Sequence, residues 1–364
     1  MTNKWVNVIV NEREGAYPQG KMNKIVTIND IAEAAGVGKG TVDRVLHNRG
    51  RVSEETREKV LRCIKELGYK PNVAARMLAK RNVYRIAVVY HNTERDFWEQ
   101  VESGISRAEE EYRQMGIVVD RYIISKISIE KQLEFIEHAI REKYDGLAIV
   151  PYSSASISDA LNRAVSQGMK VVTFNNDEAC RRLCYVGQDS LQSGRTAGRL
   201  MGMIAPPNSR YVVITPVIEG MKGIDQRYEG FKEILNVCRP DMELHGVYNC
   251  RQDGKQAYER TLELLDEGSV DAIYVSNVVV SEVARAVFDR GVQHRIKLVG
   301  HDLTDTIKDY ISNDTIDITI GQEPEIQGYI AVERICKALL QDEEIKSDYY
   351  TKIEVVIKEN LAYR

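Results

Sequence analysis

The sequence predicts an α/β protein: a small all-α helix-turn-helix headpiece followed by two doubly wound parallel-sheet lobes. Two observations carry this reading. Up to about residue 70 the apolar residues recur at helical period, whereas from residue 83 strand-like apolar runs at 85–90, 117–124, 145–150, 170–174, 210–215, 271–275 and 296–300 alternate with amphipathic segments. Charge divides the chain in the same place. Residues 24–82 hold 13 Lys and Arg against 7 Asp and Glu, while the chain after 82 holds 34 against 45, within a formal net charge of −4. A basic head on an acidic body points to a nucleic-acid partner for the head alone.

The head begins at "VTINDIAEAA", where Ile28, Ile31, Ala32 and Ala35 form one helical stripe, Thr27 is a candidate N-cap and Asp30 its capping-box partner. The stretch "AAGVGKGTVDRVLHN" superficially suggests a phosphate cradle. A P-loop, however, places Gly-Lys-Ser/Thr between a strand and a helix, and here Gly40 intervenes between Lys39 and Thr41 after a helix. Gly36 instead ends the first helix and starts a tight turn into a second. Val42, Val45 and Leu46 turn that second helix inward, leaving Lys39, Gly40, Asp43, Arg44 and His47 outward. A third helix is predicted from the Ser53 cap, with Glu54 and Glu55 at its positive end, Val60, Ile64 and Leu67 facing inward, and Gly68 as its stop.

The 364 residues suit two or three domains at about 150 residues each, and three units are expected. No apolar run approaches the roughly 20 residues of a membrane span. "MTNKWVNVIVNEREG" lacks a signal peptide's apolar core and cleavage site, so a cytoplasmic protein with no membrane partner is expected. Residues 1–23 show no periodicity and read as an extension: Met22 is the natural start, or the preceding stretch is a disordered arm. The six cysteines, with no C-x-x-C pair, read as reduced thiols, and the six histidines form no metal-binding pattern. No metal, cofactor or catalytic nucleophile is expected.

A dinucleotide-binding loop would need G-x-G-x-x-G after the first strand of the body, where this chain has "YHNTERDFWEQ". Charges and aromatics replace the glycines, and Phe97 and Trp98 can stack on an apolar ring face. In open α/β sheets ligands sit beyond the carboxyl ends of the strands. Those ends are rich in hydrogen-bonding groups: Asn175, Asn176 and Asp177, Gln188 and Asp189, then Arg227, Asn277, Asp302 and Gln322. Amides, carboxylates and a guanidinium beside aromatic faces suit a polyhydroxylated ligand. The strand-helix alternation falters at "CYVGQDSLQSG" and "ITIGQEPEIQG", near 184–194 and 318–328, where the chain is expected to cross between lobes.

The segment from "VTINDIAEAAGVGKGTVDRVLHN" to "PNVAARMLA" resembles, without gaps, the headpiece of the lactose-repressor (LacI) family of bacterial transcription regulators, and the body resembles that family's core and the periplasmic sugar-binding proteins. The extension 1–23 lies outside the resemblance, which implies three regions: a helix-turn-helix headpiece 24–70, a hinge helix and linker 71–82, and a two-lobed effector-binding and dimerisation core 83–364. The resemblance also implies a homodimer whose second helices enter successive major grooves of a double-stranded, pseudo-palindromic operator. Lys39, Gly40, Arg44 and Arg51 fall at base-reading positions. Thr27, Thr41, His47, Ser53, Thr56, Tyr69 and Asn72 match positions that hold the DNA backbone or position the head. Two residues depart from the pattern: Gly40 has no side chain to read with, and Asp43 stands where serine is common, either accepting from a cytosine or orienting Arg44 or Lys39.

"PNVAARMLAKRN" resembles the hinge helix that folds on the operator, Leu78 matching the leucine wedged into the minor groove and Ala75 packing beside the partner hinge. Helices below about 12 to 15 residues are marginal alone, so DNA and the partner would complete this one. In the body, Arg227, Asn277, Asp302 and Gln322 fall at sugar-contacting places of the family pattern, Phe97 and Trp98 match paired aromatics of the binding proteins, and Asn175 stands where aspartate is common. The reading is a repressor whose operator affinity is set by a carbohydrate or polyol effector, as inducer or corepressor. The rival is a sugar- or nucleotide-acting α/β enzyme with an accessory head, which lacks any catalytic motif here.

Overall fold

The computed structural model describes residues 26–46, 50, 52–68, 83–91, 95–125, 128–216, 220–251, 253–341 and 344–364. The proposed extension 1–23 and hinge 71–82, with His47, Arg51, Tyr69, Asn72, Ala75 and Leu78, lie outside the described residues. The chain divides into two compact units, residues 1–72 and 73–364.

The first unit contains α1 (Ile28–Ala35), α2 (Lys39–Leu46) and α3 (Glu54–Glu66). Thr27 and Asp30 close a reciprocal capping box, and Gly36 at φ +63° takes the left-handed conformation that turns the chain into α2. Ser53 caps α3 by accepting from the Thr56 amide. Ile31, Ala32, Ala35, Val42, Val45 and Val60 are buried together, with Ile64 packed against them. Leu67, expected to face inward, is the C-cap residue of α3 and 41 % exposed, because the helix ends before it can complete the stripe.

The second unit is two six-stranded sheets of the same winding. The first has order β2-β1-β3-β4-β5-β11, from β1 (Tyr84–His91), β2 (Ile117–Ile124), β3 (Gly146–Ile149), β4 (Lys170–Phe174), β5 (Cys184–Gly187) and β11 (Asp348–Tyr350). The second has order β7-β6-β8-β9-β10-β12, from β6 (Arg210–Thr215), β7 (Glu243–Asn249), β8 (Ala272–Val275), β9 (Lys297–His301), β10 (Ile318–Gly321) and β12 (Glu354–Val356). All pairings are parallel except β10 with β12. The central strands β3, β4, β5, β8, β9 and β10 are almost wholly buried, as parallel strands covered on both faces must be. Helices α4 (Arg95–Arg113), α5 (Ile129–Arg141), α6 (Ala155–Ser166) and α12 (Pro324–Leu340) flank the first sheet; α7 (Ser190–Ile204), α8 (Lys222–Cys238), α9 (Gly254–Asp266), α10 (Val280–Asp289) and α11 (Asp305–Ser312) flank the second.

The chain passes between lobes where the sequence falters, after β5 at Gln188 and after β10 at Gln322, and a third time between β11 and β12. Gln188, 2 % exposed, ties all three passages: its amide nitrogen donates to the Gly321 carbonyl at 3.0 Å and to the Lys352 carbonyl at 2.9 Å. Lys352 in turn donates from its backbone and its ammonium to the Glu323 carboxylate, both at 2.9 Å.

Each lobe is stiffened by one helix pair in backbone contact. In the first, α4 meets α12 through Gly104 and Gly328; in the second, α7 meets α8 through Gly194 and Gly230. A Cβ on any of these four glycines would overlap a backbone carbonyl oxygen of the facing helix: Glu325, Val101, Arg227 or Leu191 respectively. No rotamer change relieves a clash with backbone. Gly104→Ala is therefore expected to lower stability by about 1–3 kcal/mol or more through overpacking, read as a fall in melting temperature. An unchanged melting temperature would show that the pair separates freely.

Candidate functional site

In the first unit the outward face of α2 presents Lys39, Gly40, Asp43 and Arg44 to solvent, with Thr41 half-buried. The inward residues Val42 and Val45 fix this orientation. The Arg44 Nε donates to the Gly40 carbonyl at 3.0 Å, and the stem of Arg44 lies against Gly50. Ser53 and Thr56 share a hydroxyl hydrogen bond of 2.8 Å at the start of α3, while Thr27 is engaged in its capping box at the start of α1.

In the second unit a cavity opens at the carboxyl ends of both sheets. Seven of the eight residues expected to face a ligand line it together: Phe97, Trp98, Asn175, Arg227, Asn277, Asp302 and Gln322. Gln188 does not. Its amide nitrogen is committed to the lobe crossings, because the chain leaves the first sheet at that residue, and the residue lines the adjoining opening beside β11. Other strand-end residues also serve the frame: Asp189 caps α7, and Asp177 accepts from Thr173 and pairs with Arg182.

Arg227 sits on α8, 7 % exposed, held three residues before the Gly230 contact. Its Nη1 donates to the Ser276 carbonyl at 3.0 Å and its Nη2 to the Gln322 side-chain oxygen at 2.9 Å. The Gln322 amide nitrogen donates to the Asp302 carboxylate. Gln327 of α12 donates to the Gln322 carbonyl at 2.8 Å and accepts from Asn175 at 3.2 Å, so one polar chain joins both lobes through the second crossing. Asn175 and Asp302 adopt positive φ, +62° and +75°, which turns the chain sharply as it leaves β4 and β9.

Burial raises the Asp302 carboxyl above its ordinary value, opposed by the charge of Arg227 and the hydrogen bond from Gln322. On the opposite wall His91 contacts Trp98 edge-on at 4.5 Å and stacks with Tyr152 at 5.8 Å. Burial pushes the His91 imidazole down to about 4; burial, then the charge of Arg227, also lowers His301. Two buried donors at the cavity, Trp98 Nε1 and Arg227 Nε, have no acceptor among the described residues.

The lining also includes Asn176, one of the strand-end amides, and His91, Ser190, Met221, Gly223 and Ile224, which sequence reasoning did not assign to the site. His91 and Asn176 stand at the ends of β1 and β4, where the strand-end rule reaches them. Met221, Gly223 and Ile224 belong to the start of α8 and carry no such signal. Asn176 bridges the lobes, donating to the carbonyls of Pro151 at 2.7 Å and Gly220 at 2.9 Å and accepting from the Gly223 amide at 3.3 Å.

Residues 27–72 match the model of bacterial regulatory proteins, lacI family, and residues 86–344 match the periplasmic binding protein domain model. The chain belongs to the lacI family of bacterial regulatory proteins, its body being a periplasmic binding protein domain. It is a transcriptional regulator rather than an enzyme. The regulator is 26 % identical over 283 residues to the HTH-type transcriptional regulator DegA of Bacillus subtilis, covering 76 % of this chain and 82 % of that one. It is 24 % identical to the sucrose operon repressor of Pediococcus pentosaceus, over 82 % of this chain and 87 % of the other. Its body shares the fold of GanP, a glucose-galactose binding protein from Geobacillus stearothermophilus, at a TM-score of 0.69 and 23 % identity, over 77 % of this chain and 99 % of that one. It also shares that of a solute binding protein from Burkholderia graminis in complex with D-arabinose, at a TM-score of 0.71 and 20 % identity, over 77 % and 97 %. No helix among the described residues is long and apolar enough to cross a membrane.

The depressed His91 has a consequence for stability. The unfolded chain takes up a proton near the ordinary 6.5 and the folded chain only near 4, so between these values the unfolded state binds more protons. Stability is full above about pH 6.5 and is lost as pH falls toward 4, by up to about 3 kcal/mol from this residue. His91→Phe should flatten that slope when melting temperatures are compared from pH 7 to pH 4. Equal slopes in the two proteins would remove His91 from the account.

Proposed function

We propose that this regulator is a homodimeric repressor that reads a pseudo-palindromic operator with α2 and answers to a neutral carbohydrate or polyol held between its lobes. The observation that carries the effector reading is the composition of the cleft. Its lining holds one guanidinium, Arg227, and one carboxylate, Asp302, bridged by Gln322, beside amides and the rings of Phe97 and Trp98. The one cation and the one carboxylate are linked through Gln322 and offset each other, a balance that suits a ligand without net charge. Hydroxyl groups can accept from Arg227 Nε and Trp98 Nε1 and donate to Asp302 while their C–H faces meet the rings. The glucose-galactose binding protein GanP and the solute binding protein in complex with D-arabinose favour the same class.

On the head, Lys39, Arg44 and Arg51 are the proposed base readers with Gly40 between them. Thr27, Thr41, His47, Ser53, Thr56, Tyr69 and Asn72 are the proposed backbone and positioning residues, and Ala75 and Leu78 form the dyad contact of a hinge within 71–82. Headpiece 24–70 and core 83–364 are the proposed domains. The protein works in the cytoplasm, beside its operator. Effector and operator then alter one another's affinity by one common factor, typically about 5- to 150-fold.

Operator selection from random DNA with the full chain tests the head. Arg44→Ala should relax the selected sequence, and Lys39→Ala should weaken binding at a cost of about 1–3 kcal/mol per lost guanine contact. For the cleft, Arg227→Ala and Asp302→Ala should abolish the response to whichever member of a sugar and polyol panel raises the melting temperature, while operator binding persists. A normal response in both cleft variants would mean that the effector binds elsewhere.

A further inference from the structure

We infer that the effector is larger than one sugar ring, its second unit lying in a vestibule beside the cleft, between the loop after β4, the edge strand β11 and the starts of α7 and α8. This deepens the carbohydrate reading above and rests on it. The two spaces adjoin: Asn175, Asn176, Ser190 and Gly223 line both.

Gly223 keeps that neck narrow in side chain but open. It is the second residue of α8 and has no left-handed φ that would demand glycine, yet a Cβ there would come within 3.0 Å of the Ser190 Oγ and 3.7 Å of the Asn176 Oδ1. Any larger residue would project into the passage.

The vestibule also holds what a neutral glycosyl unit uses. Tyr350, on the edge strand β11, is 59 % exposed and offers a ring face; Tyr185 meets it edge-on at 6.1 Å and fixes it from behind. Glu178 is 7 % exposed, and its Oε2 is buried without a hydrogen-bond partner among the described residues, while Oε1 accepts from the Ala179 amide and faces Lys222 at 3.4 Å. A hydroxyl can donate to that oxygen. Arg182 is paired with Asp177 and Asp348, and Lys222 with Glu178, so the cations of this wall are already matched by carboxylates and do not call for an anionic ligand. A second opening, beside Phe97, Asp302 and Gln322, lacks these features. Its carboxylates Glu323, Glu325 and Glu354 are paired with Lys352, Arg107 and Arg364, and no exposed tyrosine lines it.

Calorimetric titration of the full chain with maltose, sucrose, lactose and cellobiose, and with glucose, fructose and galactose, tests this. At least one disaccharide should bind about tenfold or more tightly than either of its constituent monosaccharides. Tyr350→Ala should remove about that tenfold, Tyr350→Phe should keep it, and monosaccharide binding should be the same in all three proteins. Monosaccharides binding as tightly as every disaccharide, or a disaccharide indifferent to Tyr350→Ala, overturns the vestibule and leaves the carbohydrate reading standing. Binding of none of the seven sugars overturns the carbohydrate reading itself, and the vestibule with it.

Discussion

A guanidinium taken out of water needs oxygens to answer it, because an isolated buried charge costs several kcal/mol or more. Arg227 is in this position, and the oxygens that answer it belong to different parts of the body. The Ser276 carbonyl ends β8 in the second lobe; the Gln322 side chain is in the crossing between lobes; and Gln327, which fixes the Gln322 backbone, stands on α12 of the first lobe. Gln322 accepts from Arg227 and donates to Asp302, so its orientation is set by both charges at once. A ligand hydroxyl that bonds either charge changes the balance on a residue located where the chain passes between lobes. The need to satisfy one buried cation thus connects the floor of the cleft to the hinge.

That connection transmits motion only if the lobes are stiffer than the passages between them. Each lobe has a helix pair whose backbones touch through facing glycines, α4 with α12 and α7 with α8. Such contacts leave no room for sliding side chains, so each pair moves as a unit with its sheet. The three passages, by contrast, are held by hydrogen bonds from single side chains, with Gln188 shared between two carbonyls and Glu323 between two groups of Lys352. A few directional bonds can reorient where a packed backbone cannot. The Asn176 contacts with Gly220 and Gly223 lie across the mouth of the same cleft, and they are contacts that lobe separation must break.

Much of this was legible because parallel strands covered on both faces must be apolar, and β1, β4 and β6 read as such runs within a residue of their ends. The strands missed were β7, β11 and β12, all at sheet edges. β7 has only exposed and half-buried residues, and β11 and β12 are three residues each, too short for any period to register. The cleft was legible through the rule that ligands lie beyond strand ends, which gathers Asn175, Asn277, Asp302 and Gln322. The same rule placed Gln188 among the ligand residues; it lines the adjoining opening rather than the cleft, since a residue after a strand can equally be the point where the chain leaves the lobe. Nothing local distinguishes the two; only the positions of Gly321 and Lys352, more than a hundred residues away, do.

The head poses a different physical problem. Helix α2 is eight residues long, contains Gly40, and buries only Val42 and Val45. Its glycine costs about 1 kcal/mol relative to alanine, and helices this short do not hold without tertiary support. The support it has is a core of six buried side chains, three of them from α1. With so small a core, the order of the head depends on α1 and α3 holding α2 in place.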